Sequence, residues 1–154
     1  MKYQTYGPIV NQEQTTLSNL PVAGPIENMQ ISATTPTGTL NIDVTTSTFW
    51  YFTTAATANF VFNFRGNSTT TFNSLIANGQ SISLVILVTQ GATPYYPTSI
   101  SIDGTTVTPK WLNAVVPASG NASGVDAYSL TVIKTATSTY TVLASGAKIG
   151  RAHV

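Results

Sequence analysis

The 154-residue sequence predicts an all-β domain, an antiparallel two-sheet sandwich of jelly-roll-like type with eight or nine strands and one short helix. Two observations predict it. Only 7% of the residues are charged, while 27 Thr and 14 Ser supply most of the polarity, whereas amphipathic helices usually carry Glu and Lys on the wet face. From about Met29 onward, short β-branched and aromatic runs alternate with Thr and Ser between Gly, Asn and Pro punctuation.

The first quarter of the chain divides into an arm and the first strands. Residues 1–28 carry three prolines and no sustained period, which predicts an extended N-terminal arm. The alternation of apolar and polar residues over 40–44 predicts a strand with one buried face. Residues 49–52 are aromatic on both faces, so we expect both faces of that strand to be covered.

The middle of the chain combines a clear strand with a change of period. Phenylalanines recur with period 2 over 60–64, and Asn63 and Arg65 lie on the opposite face, which predicts a half-buried strand. Over 70–78 the apolar residues recur at i, i+3 and i+4, after threonines that could cap a helix and before an Asn-Gly stop. The sequence therefore predicts one short helix there.

The later strands follow from an apolar run and a turn signal. Residues 81–90 are too short and too β-branched for a free helix, so they predict the central strand of the core. Asp103-Gly104 predicts a two-residue type I′ turn, which would pair Ile102 with Thr105 and Ile100 with Val107. Residues 125–135 and 139–145 predict the last two strands, with their register left open.

No repeat of 20–50 residues is evident, which disfavours solenoids and propellers. The domain is expected to span residues 29–147.

Composition excludes several classes of partner. The formal net charge of +1 supplies no field for binding phosphates, so no nucleic-acid partner is expected. The longest apolar run, 84–88, is far too short for membrane insertion. The chain has no Cys, which excludes a thiolate nucleophile and a zinc-thiolate site, and no calcium-loop or phosphate-loop motif indicates a metal or cofactor.

Few side chains in the sequence could act as an acid, a base or a nucleophile in catalysis. His153 is the only imidazole and stands next to the C-terminus, which disfavours a Ser-His-Asp arrangement. Asp43 and Asp126 could form the carboxylate pair of a glycan-cleaving enzyme, but a strand-surface and a loop-to-strand position account for them more simply. Asp103 is explained by its turn. No catalytic residue is predicted.

Two predicted loops carry aromatic residues that are candidates for ligand contact. Tyr95 and Tyr96 stand between Pro94 and Pro97, where they could stack on a sugar or pack over one end of the sandwich. Trp111 precedes a long polar loop, where it could contact a ligand or plug the core. Tyr95, Tyr96 and Trp111 are the candidate ligand-binding residues.

Several short segments carry a resemblance to a known class of proteins. They resemble virion structural or tail-fibre-like proteins of marine tailed phages, especially contractile-tailed cyanophages. The resemblance covers roughly residues 37–146 and implies a β-rich, often oligomeric module of the virion exterior, with no catalytic residues to carry over. The segments are 37–44, 63–67, 79–83, 102–104, Trp111 with Pro117 and Gly120, 126–128, 132–135 and 140–143.

The C-terminal segment resembles a different kind of sequence. Residues 149–154, Ile-Gly-Arg-Ala-His-Val, are similar to a translated sequencing-library adapter. This resemblance implies that 148–154 is a non-native tail and that His153 has no biological role.

The main functional hypothesis is a non-enzymatic phage virion module, a tail fibre or an exterior decoration. It would act by assembly into a homo-oligomer, with a trimer favoured, or with other virion proteins, and by contact with host surface glycans. The alternative is a carbohydrate-binding or adhesin domain of a bacterial surface protein. A glycan-cleaving enzyme is the third hypothesis.

Overall fold

The structure, a computed structural model, describes residues 26–150. Most of the predicted arm, His153 and the last residues of the predicted tail therefore lie outside the described residues. The described chain forms ten strands, one turn of α-helix, α1 (Phe72–Leu75), and one 3₁₀ turn (Leu112–Ala114). The strands are β1 (Met29–Ser32), β2 (Gly38–Asp43), β3 (Phe49–Phe52), β4 (Phe60–Arg65), β5 (Ser81–Thr89), β6 (Pro97–Ile102), β7 (Thr105–Val107), β8 (Lys110–Trp111), β9 (Val125–Ala136) and β10 (Thr139–Ile149).

The strands form two sheets, which confirms the two-sheet, mostly β prediction. Sheet A has six strands in the order β1-β3-β5-β9-β10-β8, and sheet B has four in the order β2-β4-β6-β7. Strand β5 lies inside sheet A between β3 and β9, as the apolar run predicts. Within the described region no helix is long and apolar enough to cross a membrane.

The prediction of an antiparallel, jelly-roll-like sandwich is wrong for the first half of the fold. From β1 to β6 the chain alternates between the sheets, odd strands in sheet A and even strands in sheet B. Strands β1, β3 and β5 pair in parallel, and so do β2, β4 and β6. The chain thus makes a coil of three turns, and both sheets are mixed.

Side-chain alternation could not reveal this path, because a strand with one buried face has the same pattern whether its neighbour is parallel or antiparallel. The coil also has no fixed period. Met29 pairs with Phe49 and Phe49 with Val85, offsets of 20 and then 36 residues, since α1 and its flanking loops are inserted in the second turn. The absence of a sequence repeat is therefore compatible with a coiled path.

The antiparallel part of the fold agrees with the sequence. In the β6–β7 hairpin, Ile102 pairs with Thr105 and Ile100 with Val107, as predicted. The φ angles of Asp103 and Gly104 are 50° and 80°, the left-handed values that a type I′ turn requires. Strands β9 and β10 pair antiparallel, and their register shifts between Thr139 and Tyr140. Strand β10 continues to Ile149, two residues beyond the expected domain end.

The core lies between the sheets. Sheet B contributes columns of buried side chains that the parallel register places side by side, and sheet A contributes the even-numbered residues of β5 and β9. The Phe62 and Tyr128 rings meet edge to face across the layers, with centroids 5.4 Å apart. The columns of sheet B are Leu40–Phe62–Ile100 and Ile42–Phe64–Ile102.

The helical turn α1 is shorter than the predicted 70–78 segment. It begins after Thr71, whose hydroxyl accepts a hydrogen bond from the Ser74 N–H at 3.1 Å. Phe72 is fully buried and anchors the turn to the core. The predicted stop lies farther on, where Gly79 has a φ of 84°.

Charged side chains from both sheets hold α1. The Asp103 carboxylate accepts hydrogen bonds from the N–H groups of Phe72 and Asn73, at 2.7 and 3.0 Å. The ammonium of Lys134, which is 6% exposed, donates to the carbonyls of Asn73 and Ile76. The turn therefore links the β6–β7 hairpin of sheet B to β9 of sheet A.

Candidate functional site

The two tyrosines predicted to bind a ligand have different environments. Tyr95 packs against the core, and its main chain is held by the Gln90 side chain. Gln90 Nε2 donates to the Tyr95 carbonyl at 2.8 Å, and the Tyr95 N–H donates to Gln90 Oε1 at 2.9 Å. Tyr96 is half-buried, and its N–H donates to Asn59 Oδ1 at 3.2 Å. Tyr95 is thus part of the core packing, whereas Tyr96 is half-buried and is not among the residues packed against the core.

A buried carboxylate extends this network. Asp126 is 2% exposed, and its Oδ2 accepts hydrogen bonds from Gln90 Nε2 at 2.9 Å and from the Asn121 N–H at 3.1 Å. Burial raises the pKa of Asp126, while the hydrogen bonds oppose that rise. A Cβ at Gly120 would collide with the Tyr95 carbonyl oxygen, so glycine allows the two loops to meet here. The network ties the tyrosine loop to the loop before β9.

A cavity of about 270 Å³ adjoins Asp126. Its walls include Val116 and Pro117, and Tyr128 and Lys148 contribute polar atoms. Burial raises the pKa of the Tyr128 phenol, and the nearby charge of Asp126 adds to the effect, so the phenol stays protonated at neutral pH. Lys148 Nζ donates to Ser119 Oγ at 2.8 Å.

The structure does not bring Asp43 and Asp126 together. Asp43 ends β2 and forms an ion pair with Arg65. Asp126 lies in β9, where it pairs with Val88 near the end of β5. Asp43 lies on the outer face of sheet B and Asp126 on the inner side of sheet A, so sheet B and the core separate the two carboxylates. Glycosidase carboxylates lie roughly 5–9.5 Å apart. The geometry is therefore unsuitable for the paired-carboxylate mechanism.

Trp111 lies at the edge of sheet A, where β8 pairs with β10, and packs against the core. It lines a cavity of about 280 Å³ with Ile100 and Val116, and a groove of about 660 Å³ with Leu112 and Leu143. Neither Tyr95 nor Tyr96 lines these two spaces. The three predicted binding residues do not converge on one site.

The odd-numbered residues of β1, β3, β5, β9 and β10 form the outer face of sheet A, and this face includes Ser83, Ser129 and Leu143 of the Trp111 groove. One row across five strands is entirely apolar or aromatic, and the next row grades from apolar side chains to serines. The central side chains are half-buried, while Ile31 at the β1 edge is 65% exposed. The rows are Ile31–Tyr51–Leu87–Ala127–Ala147 and Met29–Phe49–Val85–Ser129–Ser145.

The outer face of sheet B is polar by contrast. Asn63 Nδ2 donates to Asn41 Oδ1 at 2.7 Å, and Arg65 Nε donates to Asp43 Oδ1 at 2.5 Å. The hydrogen bond with Asp43 raises the pKa of the Arg65 guanidinium. Beside it lies a groove of about 360 Å³ that Asn67 also lines.

Sequence reasoning missed Gln90 and Lys134, because Asp126, the partner of Gln90, and the Asn73 and Ile76 carbonyls, the partners of Lys134, are far from them in sequence. It also missed the outer face of sheet A as a site. A signal for that face was present, since 49–52 is aromatic on both faces and 84–88 is an unbroken apolar run. Among residues 26–150 no three His, Cys, Asp or Glu side chains are grouped to hold a metal ion.

Comparisons with known proteins identify no relative: no family model, no curated protein and no solved structure matches this chain.

Proposed function

We propose that this chain is a non-enzymatic structural module of a phage virion exterior, a tail fibre or decoration protein. It acts by assembling with further copies of itself or with other virion proteins. The observation that supports assembly most directly is the outer face of sheet A. Strands β3 and β5 are apolar on both faces, and within residues 26–150 the second sheet covers only the inner one.

Physical chemistry supports this function in two ways. Strands covered on both faces have continuous apolar sequences, and an exposed sheet face of this kind favours association. The buried ionisable groups Asp126 and Lys134 are engaged in hydrogen bonds with backbone or amide groups, so they serve the fold.

The test is the solution mass of the full chain, measured by size-exclusion chromatography with light scattering over a wide concentration range. A stable oligomer is the expected result. A species at the monomer mass of 16.2 kDa throughout would contradict self-assembly as the mode of action.

A carbohydrate-binding or adhesin domain is the second candidate, favoured by the Trp111 groove and by Tyr96, which is only half-buried. A glycan-binding screen tests it with single variants. Tyr96→Ala should weaken binding and leave the thermal midpoint unchanged. Tyr95→Ala should lower the midpoint, since Tyr95 packs against the core. Unchanged binding by Tyr96→Ala would remove Tyr96 from the site.

A further inference from the structure

The outer face of sheet A has the composition of a buried surface. In β5, Leu84 and Ile86 are almost inaccessible on the inner face, yet Val85 and Leu87 on the outer face are equally apolar and only half-buried. Strand β3 repeats this with Phe49 and Tyr51 outside. Parallel strands with such continuous apolar sequences are usually covered on both sides. Residues 26–150 therefore supply no layer over this face.

The charge distribution indicates which partner can supply a layer over the outer face of sheet A. In the two central rows no side chain is ionised at neutral pH, and Lys110 lies at the rim beside Leu143. A surface that meets itself brings like residues together, so any charge near its centre would face a like charge. The outer face of sheet B, with Asp43 and Arg65, would bury charges in such a contact. The uncharged face is the self-complementary one.

The dimensions of the face fit a specific contact. Six strands span about 24 Å, and β5, β9 and β10 extend for about 30 Å, so the face offers roughly 600 Å² after allowing for the short strands. Two such faces bury about 1,200 Å², the lower end of the range for stable protein interfaces. The serine and threonine side chains of β9 and β10 add hydrogen-bonding capacity to this area.

We propose that the outer face of sheet A packs against the same face of another copy of this chain. The proposal rests on the function above, because it names the partner and the surface through which the module assembles. The sheets stack face to face at the usual spacing of about 10 Å. Leu87, Ala127 and Ser129 lie near the centre of the contact, and Lys110 lies at its rim.

The test compares two serine-to-lysine variants of the full chain. Ser129 is exposed in sheet A, and Ser99 is half-buried on the outer face of sheet B, so neither substitution removes a core side chain. Ser129→Lys places an ammonium group in the centre of the contact, where it is desolvated and opposed by its own copy. Ser99→Lys is the matched control. Solution mass and far-ultraviolet circular dichroism are measured for both and for the wild type.

Because a face that meets its own copy forms a two-fold dimer, we expect the wild type and Ser99→Lys to have twice the mass of 16.2 kDa and Ser129→Lys to fall to the monomer mass with an unchanged spectrum. An oligomer that survives in Ser129→Lys would overturn this interface and leave the assembly function standing. A monomeric wild type would overturn both the interface and the assembly function.

Two further outcomes are informative. If the protein becomes oligomeric only when residues 1–25 are deleted, those residues cover the outer face of sheet A and the proposal is wrong. Should Ser129→Lys lose its spectrum, Ser83→Lys, also exposed on this face, decides the question in its place.

Discussion

At the scale of single residues, buried ionisable groups join backbone segments that are distant in sequence. Asp126 connects the loop before β9 to Gln90, and Lys134 bonds to the carbonyls of α1. A buried polar group is costly unless it is hydrogen-bonded, so each of these contacts fixes one arrangement of its loop. In a chain with so few charges, most of the charges that lie inside have such a role.

The raised pKa of Asp126 predicts how the stability of the protein depends on pH. Because the folded state binds this proton more tightly than the unfolded state, the group favours folding at low pH. That contribution is lost as pH rises from the ordinary value of 3.8 through the higher folded-state pKa. Asp126→Asn keeps the acceptor for Gln90 and Asn121 and cannot ionise. Thermal midpoints between about pH 3 and pH 7 should therefore fall less steeply in this variant than in the wild type.

The control is Asp43→Asn, which removes a carboxylate of the exposed face of sheet B. It should leave the pH dependence assigned to Asp126 in place. Identical pH profiles for Asp126→Asn and the wild type would show that the buried carboxylate is not the source of the slope.

Lys134 makes a prediction about stability. Lys134→Met preserves most of the buried stem but leaves the carbonyls of Asn73 and Ile76 without their ammonium donor. An unsatisfied buried acceptor costs about 1–3 kcal/mol, so the free energy of unfolding measured in urea should fall by about that amount. Lys110→Met, at an exposed position of β8, should change it by less than about 0.5 kcal/mol. Equal losses in the two variants would contradict the role of Lys134.

At the scale of elements, Asp103 serves both the β6–β7 turn and α1. Asp103→Ala removes the acceptor of the Phe72 and Asn73 N–H groups and places alanine at a positive φ, so the free energy of unfolding should fall by about 1–3 kcal/mol. Asp103→Asn tolerates that φ and keeps one acceptor, so its loss should be smaller. Urea unfolding of both variants measures the difference, and equal losses would contradict this account, because asparagine keeps both the tolerance of the positive φ and one acceptor.

The elements also show which parts of the fold the sequence could predict. The β6–β7 hairpin was predicted to its register, because two residues, Asp103 and Gly104, specify the turn locally. The parallel pairing of β2 with β4 and β6 was not, since it depends on how residues 33–37, 53–59 and 90–96 cross between the sheets. Nothing in the alternation of a strand indicates which sheet its neighbour joins.

The candidate site divides in the same way. Local composition identified Tyr95, Tyr96 and Trp111 as aromatic loop residues but could not show that Tyr95 and Trp111 pack on the core. That information is in the loop path, which Gln90 sets by hydrogen bonds to Tyr95. The extent of the outer face of sheet A could not be predicted from the sequence for a different reason. Its rows combine residues from five strands, and only the register shows that Leu87 and Ala127 are neighbours.

At the scale of the whole molecule, the two sheets have opposite outer surfaces around one core. Sheet B presents asparagine, aspartate, arginine and serine side chains, while sheet A presents apolar and hydroxyl-bearing ones. One surface is thus suited to water and the other to a second protein layer. This asymmetry explains how a chain with only 7% charged residues can have one outer face that is suited to water and another that is suited to contact with protein.

The asymmetry predicts how assembly responds to salt. Contacts between charged surfaces weaken as ions screen them, whereas burial of apolar surface does not, and excluded salts such as sulfate strengthen it. We expect the dissociation constant of the oligomer to change less than about threefold between about 0.05 M and 0.5 M sodium chloride and to decrease in sodium sulfate at the same ionic strength. Analytical ultracentrifugation measures it directly. A tenfold weakening in sodium chloride would point instead to an interface that contains charged groups, such as the Asp43 and Arg65 face of sheet B.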